Sequence, residues 1–141
     1  MKKNGFTLFE LLVSISIIAI LTALVSLSYS SAQKRARDAR RRQDMNSVQK
    51  AAEQFYSLSN YSYPTSYTSG VSSWSADGET ILALFPVDPK NVAPYQYSCS
   101  TGAATGYCCC VVMENNNNGN ASDASCTFAA VGDYYCVQSQ Q

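Results

Sequence analysis

The chain has 141 residues, ten basic and ten acidic side chains, and no histidine. That length allows one small domain beside a long helix, and the missing histidine removes the commonest general base and metal ligand. The balanced charge hides an uneven distribution. Residues 34–42 hold six of the ten basic groups and one acid, whereas from Asp44 onward two basic residues face eight acids, a formal −6 that disfavours nonspecific contact with nucleic-acid phosphates.

The chain opens with Met1-Lys2-Lys3-Asn4-Gly5, whose two lysines compete for the cytosolic side with the six basic residues of 34–42 beyond the apolar run. Phe6-Thr7-Leu8-Phe9-Glu10-Leu11-Leu12 follows, and the run stays apolar to about Tyr29. The 22 residues from Leu8 to Tyr29 would make about 33 Å of helix, enough to cross a bilayer core of about 30 Å. Ser14, Ser16, Thr22, Ser26 and Ser28 do not exclude a span, because helical hydroxyls bond back to their own backbone. Glu10 is out of place there: a charge at a helix centre in the membrane costs about 2.5–3.5 kcal/mol on insertion scales, and less near an interface. The run also exceeds the apolar core of about 7–15 residues of a cleaved secretory signal, and Ser30-Ser31-Ala32 lead into a continuing helical pattern.

In order and spacing, Lys2, Lys3, Gly5, Phe6, Thr7, Leu8, Phe9 and Glu10 resemble the N-terminal pattern of the type IV pilin family, including the pseudopilins of type II secretion. The resemblance implies that a membrane-embedded prepilin peptidase cuts between Gly5 and Phe6 and methylates the new amine of Phe6. It implies a single-pass protein of the inner (cytoplasmic) membrane, N-terminus inside and head outside, that assembles into a helical homo-oligomer and leaves in an extracellular pilus. Assembly would use Glu10 and the amine of Phe6. Before assembly, Glu10 is expected to lack a built-in partner. One departure is visible: Ala19 and Leu27 stand where the family pattern usually carries Gly and Pro, leaving Ser26 and Ser28 as weaker candidates for a bend.

No Pro or Gly occurs between Phe6 and Ser59, so one helix of 54 residues, about 81 Å, is expected. In its second half Met45, Val48, Ala52, Phe55 and Ser59, with Ala51 and Leu58 beside them, form one apolar face suited to packing on a domain. Asn60 suits the C′ position, and Pro64 follows as a stop. The basic run Lys34–Arg42 is expected to neutralise acids on neighbouring subunits or to rest on lipid headgroups. DNA binding is its alternative, weakened because packed helices would leave much of the run unavailable.

Residues 60–94 are rich in Tyr, Ser, Thr, Pro and Gly and read as a long connecting loop, with a helical turn at Glu79–Phe85. Tyr63-Pro64, then Pro86, Asp88, Pro89 and Asn91 before Tyr95 and Tyr97, are similar to segments that pilins and major pseudopilins show here. Beyond Pro94, strands are expected at Tyr95–Cys99, Gly106–Met113, Cys126–Val131 and Tyr134–Val137. Asn115–Asn120 would be a turn, and Gly132-Asp133 would join the last two strands.

Cys99, Cys108, Cys109, Cys110, Cys126 and Cys136 are all the cysteines, clustered behind a membrane segment. An oxidising, extracytoplasmic space and three disulfides follow, with 15 pairings open. On a strand Cys108 and Cys110 face one way and Cys109 the other. A zinc site is the rival, but the expected pair spacing and any histidine are missing. Asp123 and Asp133 with Asn118 and Asn120 offer oxygens for Ca²⁺ but fit no loop pattern, so they read as solvated acids, and no metal or cofactor is expected. Asn60-Tyr61-Ser62 and Asn120-Ala121-Ser122 fit the N-glycosylation rule weakly. With no phosphate loop, nucleophile elbow or paired catalytic carboxylates, an enzyme is not expected.

The expected architecture is α+β and pilin-like: a leader (1–5), a transmembrane or filament-core helix half (6–29), an amphipathic half (30–59), a connecting loop (60–94) and a disulfide-stapled antiparallel head (95–141). The expected role is structural subunit of a type IV pilus serving adhesion, twitching motility or DNA uptake. Its partners would be copies of itself, the prepilin peptidase, the pilus assembly machinery and, before assembly, the membrane. The rivals are a type II secretion pseudopilin and a membrane-anchored monomeric binding module.

Overall fold

A computed structural model describes residues 5–102 and 106–141, without the side chains of residues 26–28 and 101–102. The Met1–Asn4 part of the expected leader, and the proposed bend at the Ser26 and Ser28 side chains, lie outside the described residues. The chain divides into two compact units, Met1–Lys34 and Arg35–Gln141.

Helix α1 runs Leu8–Leu58, and both its ends are set by local chemistry. Thr7 is the N-cap, so the helix begins two residues later than expected. At the other end Asn60 and Tyr61 adopt positive φ (50° and 59°), and the Tyr61 N–H donates to the Tyr56 carbonyl at 3.1 Å. That six-to-one bond is a Schellman ending with Asn60 at C′, and its accompanying apolar contact is the edge-on pair Tyr56–Tyr61, centroids 5.6 Å apart. In the first unit every described side chain is exposed, including Leu8, Phe9, Leu11, Leu12, Ile15, Ile17, Ile18, Leu21, Leu24 and Val25. This helix has a stretch long and apolar enough to cross a membrane.

In the second unit the apolar stripe of α1 builds the core. Met45, Val48, Ala51 and Ala52 are buried against Tyr63, Tyr67, Trp74, Phe85, Tyr97, Tyr107, Cys109, Val111 and Val137, with Phe55 half-buried beside them. Leu58 falls outside this core and is exposed. Residues 60–94 are not a simple loop. They supply the aromatic half of the core, where Tyr67, Trp74 and Phe85 meet edge-on at 5.0, 6.1 and 5.9 Å. They also contain an antiparallel hairpin, β1 (Trp74–Ala76) and β2 (Glu79–Leu82), in place of the expected helical turn. Asp77 and Gly78, both at positive φ (52° and 78°), form its two-residue turn, the conformation a primed hairpin turn requires.

The main sheet has the order β3-β4-β7-β5-β6, all neighbours antiparallel. Its strands are β3 (Ser98–Gly102), β4 (Gly106–Val112), β5 (Gly119–Ala121), β6 (Phe128–Gly132) and β7 (Tyr134–Gln138). Tyr95, Tyr97 and Cys126 lie outside the strands expected to hold them. The Asn-rich segment turns only through Asn118; Gly119–Ala121 continues as β5, which sits between β6 and β7, so those two are not hairpin neighbours. Glycine permits this insertion. A Cβ on Gly119 would lie 1.9 Å from the Tyr134 carbonyl oxygen, and one on Gly132 1.9 Å from that of Ala121.

Candidate functional site

The N-terminal segment and the residues that clamp α1 to the head each pair a charged side chain with partners of the same chain. At the N-terminus, Thr7 and Glu10 form a reciprocal capping box. The Glu10 carboxylate Oε2 accepts the Thr7 N–H and the Thr7 hydroxyl, both at 2.8 Å, and the Glu10 N–H donates to Thr7 Oγ1 at 3.2 Å. The expectation that Glu10 lacks a built-in partner is therefore wrong: two donors three residues away satisfy it. The reason is the spacing Thr-x-x-Glu at a helix start. Gly5 and Phe6 precede the helix and are exposed. A cut between them would leave the Thr7–Glu10 pair intact, since both partners lie beyond it. Further along, Ser14 donates to the Glu10 carbonyl at 2.7 Å, Ser16 to that of Val13 at 2.8 Å, and Thr22 to those of Ile18 and Ala19 at 3.0 Å. These hydroxyls are spent inside the helix and present no free donor to a bilayer.

The basic run is only partly outward-facing, which corrects its expected role. The Arg41 side chain is fully buried. Its guanidinium donates to Asp88 Oδ2 at 2.6 Å and Oδ1 at 3.1 Å, to Asp38 Oδ1 at 2.9 Å and to Glu114 Oε1 at 2.9 Å. Arg37 forks onto Glu114 at 2.6 and 2.7 Å, and Lys90 Nζ reaches Glu114 Oε2 at 2.9 Å. Three cations thus face three carboxylates. The remaining lone pairs are used too: Asp38 accepts from the Glu114 and Asn115 backbones and the Asn115 side chain, and Asp88 from the Lys90 and Asn91 N–H groups. Arg42 donates to the Asn118 carbonyl and lies over the Tyr135 ring. Arg37 and Arg41 therefore neutralise acids of their own head. Lys34, Arg35 and Arg40 are the exposed members of the run, and Arg40 is itself paired with Asp44 at 3.9 Å.

This clamp joins three chain segments: α1, the Pro86–Asn91 loop and the end of β4. Sequence reasoning grouped Arg41 with the outward basic run and gave Asp88 no partner. The one available signal was Asp38 lying three residues before Arg41 on a helix. The guanidinium of Arg37, helped by Lys90 and Arg41, holds the Glu114 carboxyl well below the usual carboxylate range against the opposing effect of its burial. A carboxyl with a depressed folded-state pKa contributes stability above its unfolded pKa, about 4.3, and loses it as pH falls through the folded value. The thermal midpoint of the head, followed by near-ultraviolet circular dichroism, is therefore expected to drop as pH falls below about 4. The drop should be shallower in Glu114→Gln. An unchanged pH dependence in that variant would remove Glu114 from the account.

Hydroxyls add further links to α1. Tyr97 donates to Asp44 at 2.6 Å, Tyr63 to Glu53 at 2.9 and 3.1 Å, and Tyr135 to Asn46 at 3.0 Å. Burial first and the Glu53 carboxylate second push the Tyr63 hydroxyl up to about 12.

All six cysteines form disulfides: Cys99–Cys109, Cys108–Cys126 and Cys110–Cys136. Two of them join residues directly opposite in register, Cys99 with Cys109 and Cys110 with Cys136, with Cα atoms 4.0 and 4.1 Å apart. Strand alternation sorts them by face. Cys109 packs in the core against α1, whereas Cys108, Cys110, Cys126 and Cys136 form a cluster with Ala121 and Tyr134 on the other side of the sheet. Intact mass of the unreduced, denatured and alkylated chain should show no added alkyl group. Six alkylations without reductant, or stoichiometric zinc, would support the metal reading instead.

The oxygens considered for calcium are not gathered. Asp123 Oδ1 accepts the Ser125 and Thr127 N–H groups, which lower its pKa, and Asp133 accepts the Asn117 N–H. Asn120 exchanges two hydrogen bonds with the Cys136 backbone at 2.7 and 2.9 Å, which occupies the amide of one N-glycosylation sequence. Asn60, in the other, is exposed.

Comparison with known proteins points the same way as this geometry. Residues 1–26 match the family model of the prokaryotic N-terminal methylation motif. The chain is similar to the type II secretion system core protein G of Pseudomonas aeruginosa, with 32% identity over 108 residues that cover 68% of this chain and 73% of the relative. No solved structure gives a significant match. With its methylation motif, its long N-terminal helix packed on an antiparallel head and this relative, the chain belongs to the family of type IV pilins and type II secretion pseudopilins.

Proposed function

We propose that the chain is the structural subunit of an extracellular type IV pilus filament, whose adhesion, twitching motility or DNA uptake belongs to the polymer. The observation that carries this reading is the apolar half of α1, exposed at every described side chain, with its one carboxylate at the N-terminal end. An apolar surface of that length needs lipid before assembly and other helices after it. The prepilin peptidase would cut between Gly5 and Phe6 and methylate Phe6, and the assembly machinery would move the subunit from membrane to filament. No catalytic role is proposed.

A second reading, a pseudopilus subunit driving protein export, is favoured by the similarity to a type II secretion core protein. Cryo-electron microscopy of sheared surface filaments, with the subunit identified by mass and lost on gene deletion, separates the two. A secretion defect without surface filaments supports the pseudopilus. A subunit that stays monomeric in detergent and is never processed would support a membrane-anchored binding module.

The processing step has its own test. Mature protein is expected to begin at Phe6 with one methyl group on its amine. N-terminal peptide mass spectrometry checks this, and a retained Met1–Gly5 leader would overturn both filament readings.

A further inference from the structure

The outer face of the sheet places two disulfides against each other. Cys108 Sγ lies 3.6 Å from Cys110 Sγ, and Cys126 Sγ lies 3.9 Å from the same Cys110 Sγ. The sulfurs of Cys108, Cys110 and Cys126 all fall within 4.8 Å of one another. The two bridges differ in access. Cys108 and Cys126 are half-buried, with Cys126 in the loop before β6, whereas Cys110 and Cys136 are each 1% exposed. This arrangement follows from the Cys108-Cys109-Cys110 triplet: alternation sends two of the three sulfurs to one face, where Cys126 and Cys136 also arrive.

We infer that the Cys108–Cys126 and Cys110–Cys136 bridges are exchange-coupled, and that Cys108–Cys126 is the entry point for a thiol–disulfide isomerase. Attack by the isomerase thiolate on Cys108 Sγ forms a mixed disulfide and breaks the Cys108–Cys126 bond, releasing the Cys126 thiolate. That thiolate already sits in contact with Cys110 Sγ. Its attack forms a Cys110–Cys126 bond and breaks Cys110–Cys136, and Cys136 leaves as a thiolate that takes a proton from water. The new Cys136 thiol has an acceptor in place, the Asp123 carbonyl at 3.5 Å. The alternative route through a freed Cys108 is poorer. Bridging it to Cys110 would link residues two apart on one strand, about 6.6–6.8 Å between Cα atoms, at the far limit of disulfide geometry. A buried cysteine is thereby reached through an accessible one. A misplaced Cys110–Cys126 bond is the expected error of oxidative maturation, which the isomerase reverses by the same steps.

The test uses the full-length chain in detergent. In Cys108→Ser the Cys126 thiol is left free beside Cys110. After incubation at neutral pH, acid trapping and alkylation, cleavage before Asp123 and Asp133 puts Cys126 and Cys136 on separate peptides. The label is expected to divide between the two, whereas in Cys109→Ser, whose free thiol is on the α1-facing side, it should stay on Cys99. Label confined to Cys126 in Cys108→Ser overturns the coupling. Should that variant not fold, limiting reduced glutathione applied to the wild-type chain decides. Labelling of Cys136 together with Cys126 is expected, and labelling of Cys108 and Cys126 alone overturns the inference.

Discussion

Arg41→Ala is expected to destabilise the head by about 3–5 kcal/mol, the cost of breaking a buried ion pair by removing one partner. For a unit of this size that lowers the thermal midpoint by on the order of 20 °C. The reason is what stays behind. Asp88 and Asp38, whose side chains are at most 1% exposed, would keep their backbone donors but lose the cation between them. Disulfides do not cover the loss, because every cysteine lies between Cys99 and Cys136 and none is in α1. Docking of α1 on the sheet rests on the apolar stripe, the Arg41 clamp and a few hydroxyl links. The failure expected is therefore loosening of the helix from a sheet that stays stapled. Arg41→Lys should recover only part of the stability, since one ammonium cannot fork onto Asp88 while also reaching Asp38 and Glu114. Thermal unfolding of the three proteins, with hydrogen exchange at Met45–Ala52 as a local readout, measures this. An Arg41→Ala midpoint within a few degrees of wild type would mean that the buried charges contribute little beyond what apolar packing supplies.

How much of this was legible in the sequence depends on whether the cause is local or distant. The helix and its ending were legible, because they follow from a run without Pro or Gly, an apolar stripe in its second half and Asn60 at a position needing positive φ. The cysteine faces were legible, since alternation is geometric and needs no knowledge of partners. The β1–β2 hairpin had a local signal, Asp77-Gly78 between Trp74 and Leu82, which the surrounding Ser, Thr and Tyr obscured. Thr7–Glu10 was equally local: the same four residues that mark the family also spell a capping box. The clamp was not legible. Arg41 meets Asp88 and Glu114 at separations of 47 and 73 residues, and a run of arginines looks alike whichever of them turns inward. Strand β5 was hidden for a related reason: Gly119 and Gly132 are chosen for what their neighbours' carbonyls exclude, which no local pattern displays.

Glu10→Leu is expected to insert in the membrane and be processed normally, yet to abolish most filament assembly. Insertion should improve, because the change removes a charge from an apolar segment. The helix start loses the half of its capping box that the Glu10 side chain supplies, while the N–H of residue 10 keeps Thr7 Oγ1 as its acceptor, so a helix that continues for many turns does not unfold. On the proposed filament reading, assembly is where the carboxylate would matter. In the single chain its needs are met by two donors from Thr7. The proposed cleavage would leave Phe6 with a positive amine, which an axially offset neighbour in the proposed filament would bring to Glu10. Opposite charges at about 4 Å gain roughly 4 kcal/mol at an effective dielectric near 20, which exceeds the capping contribution surrendered. Desolvation cancels part of the gain, so the proposed pair would set register more than overall stability. Glu10→Gln separates the two roles, because glutamine serves a capping box as well as glutamate does but carries no charge. If charge pairing drives assembly, Glu10→Gln should fail as Glu10→Leu does, with membrane level and cleavage unchanged in both. If Glu10→Gln gives wild-type filament yield while Glu10→Leu does not, the carboxylate serves as a helix cap and the amine pairing is wrong. Wild-type yield from both would remove Glu10 from assembly altogether.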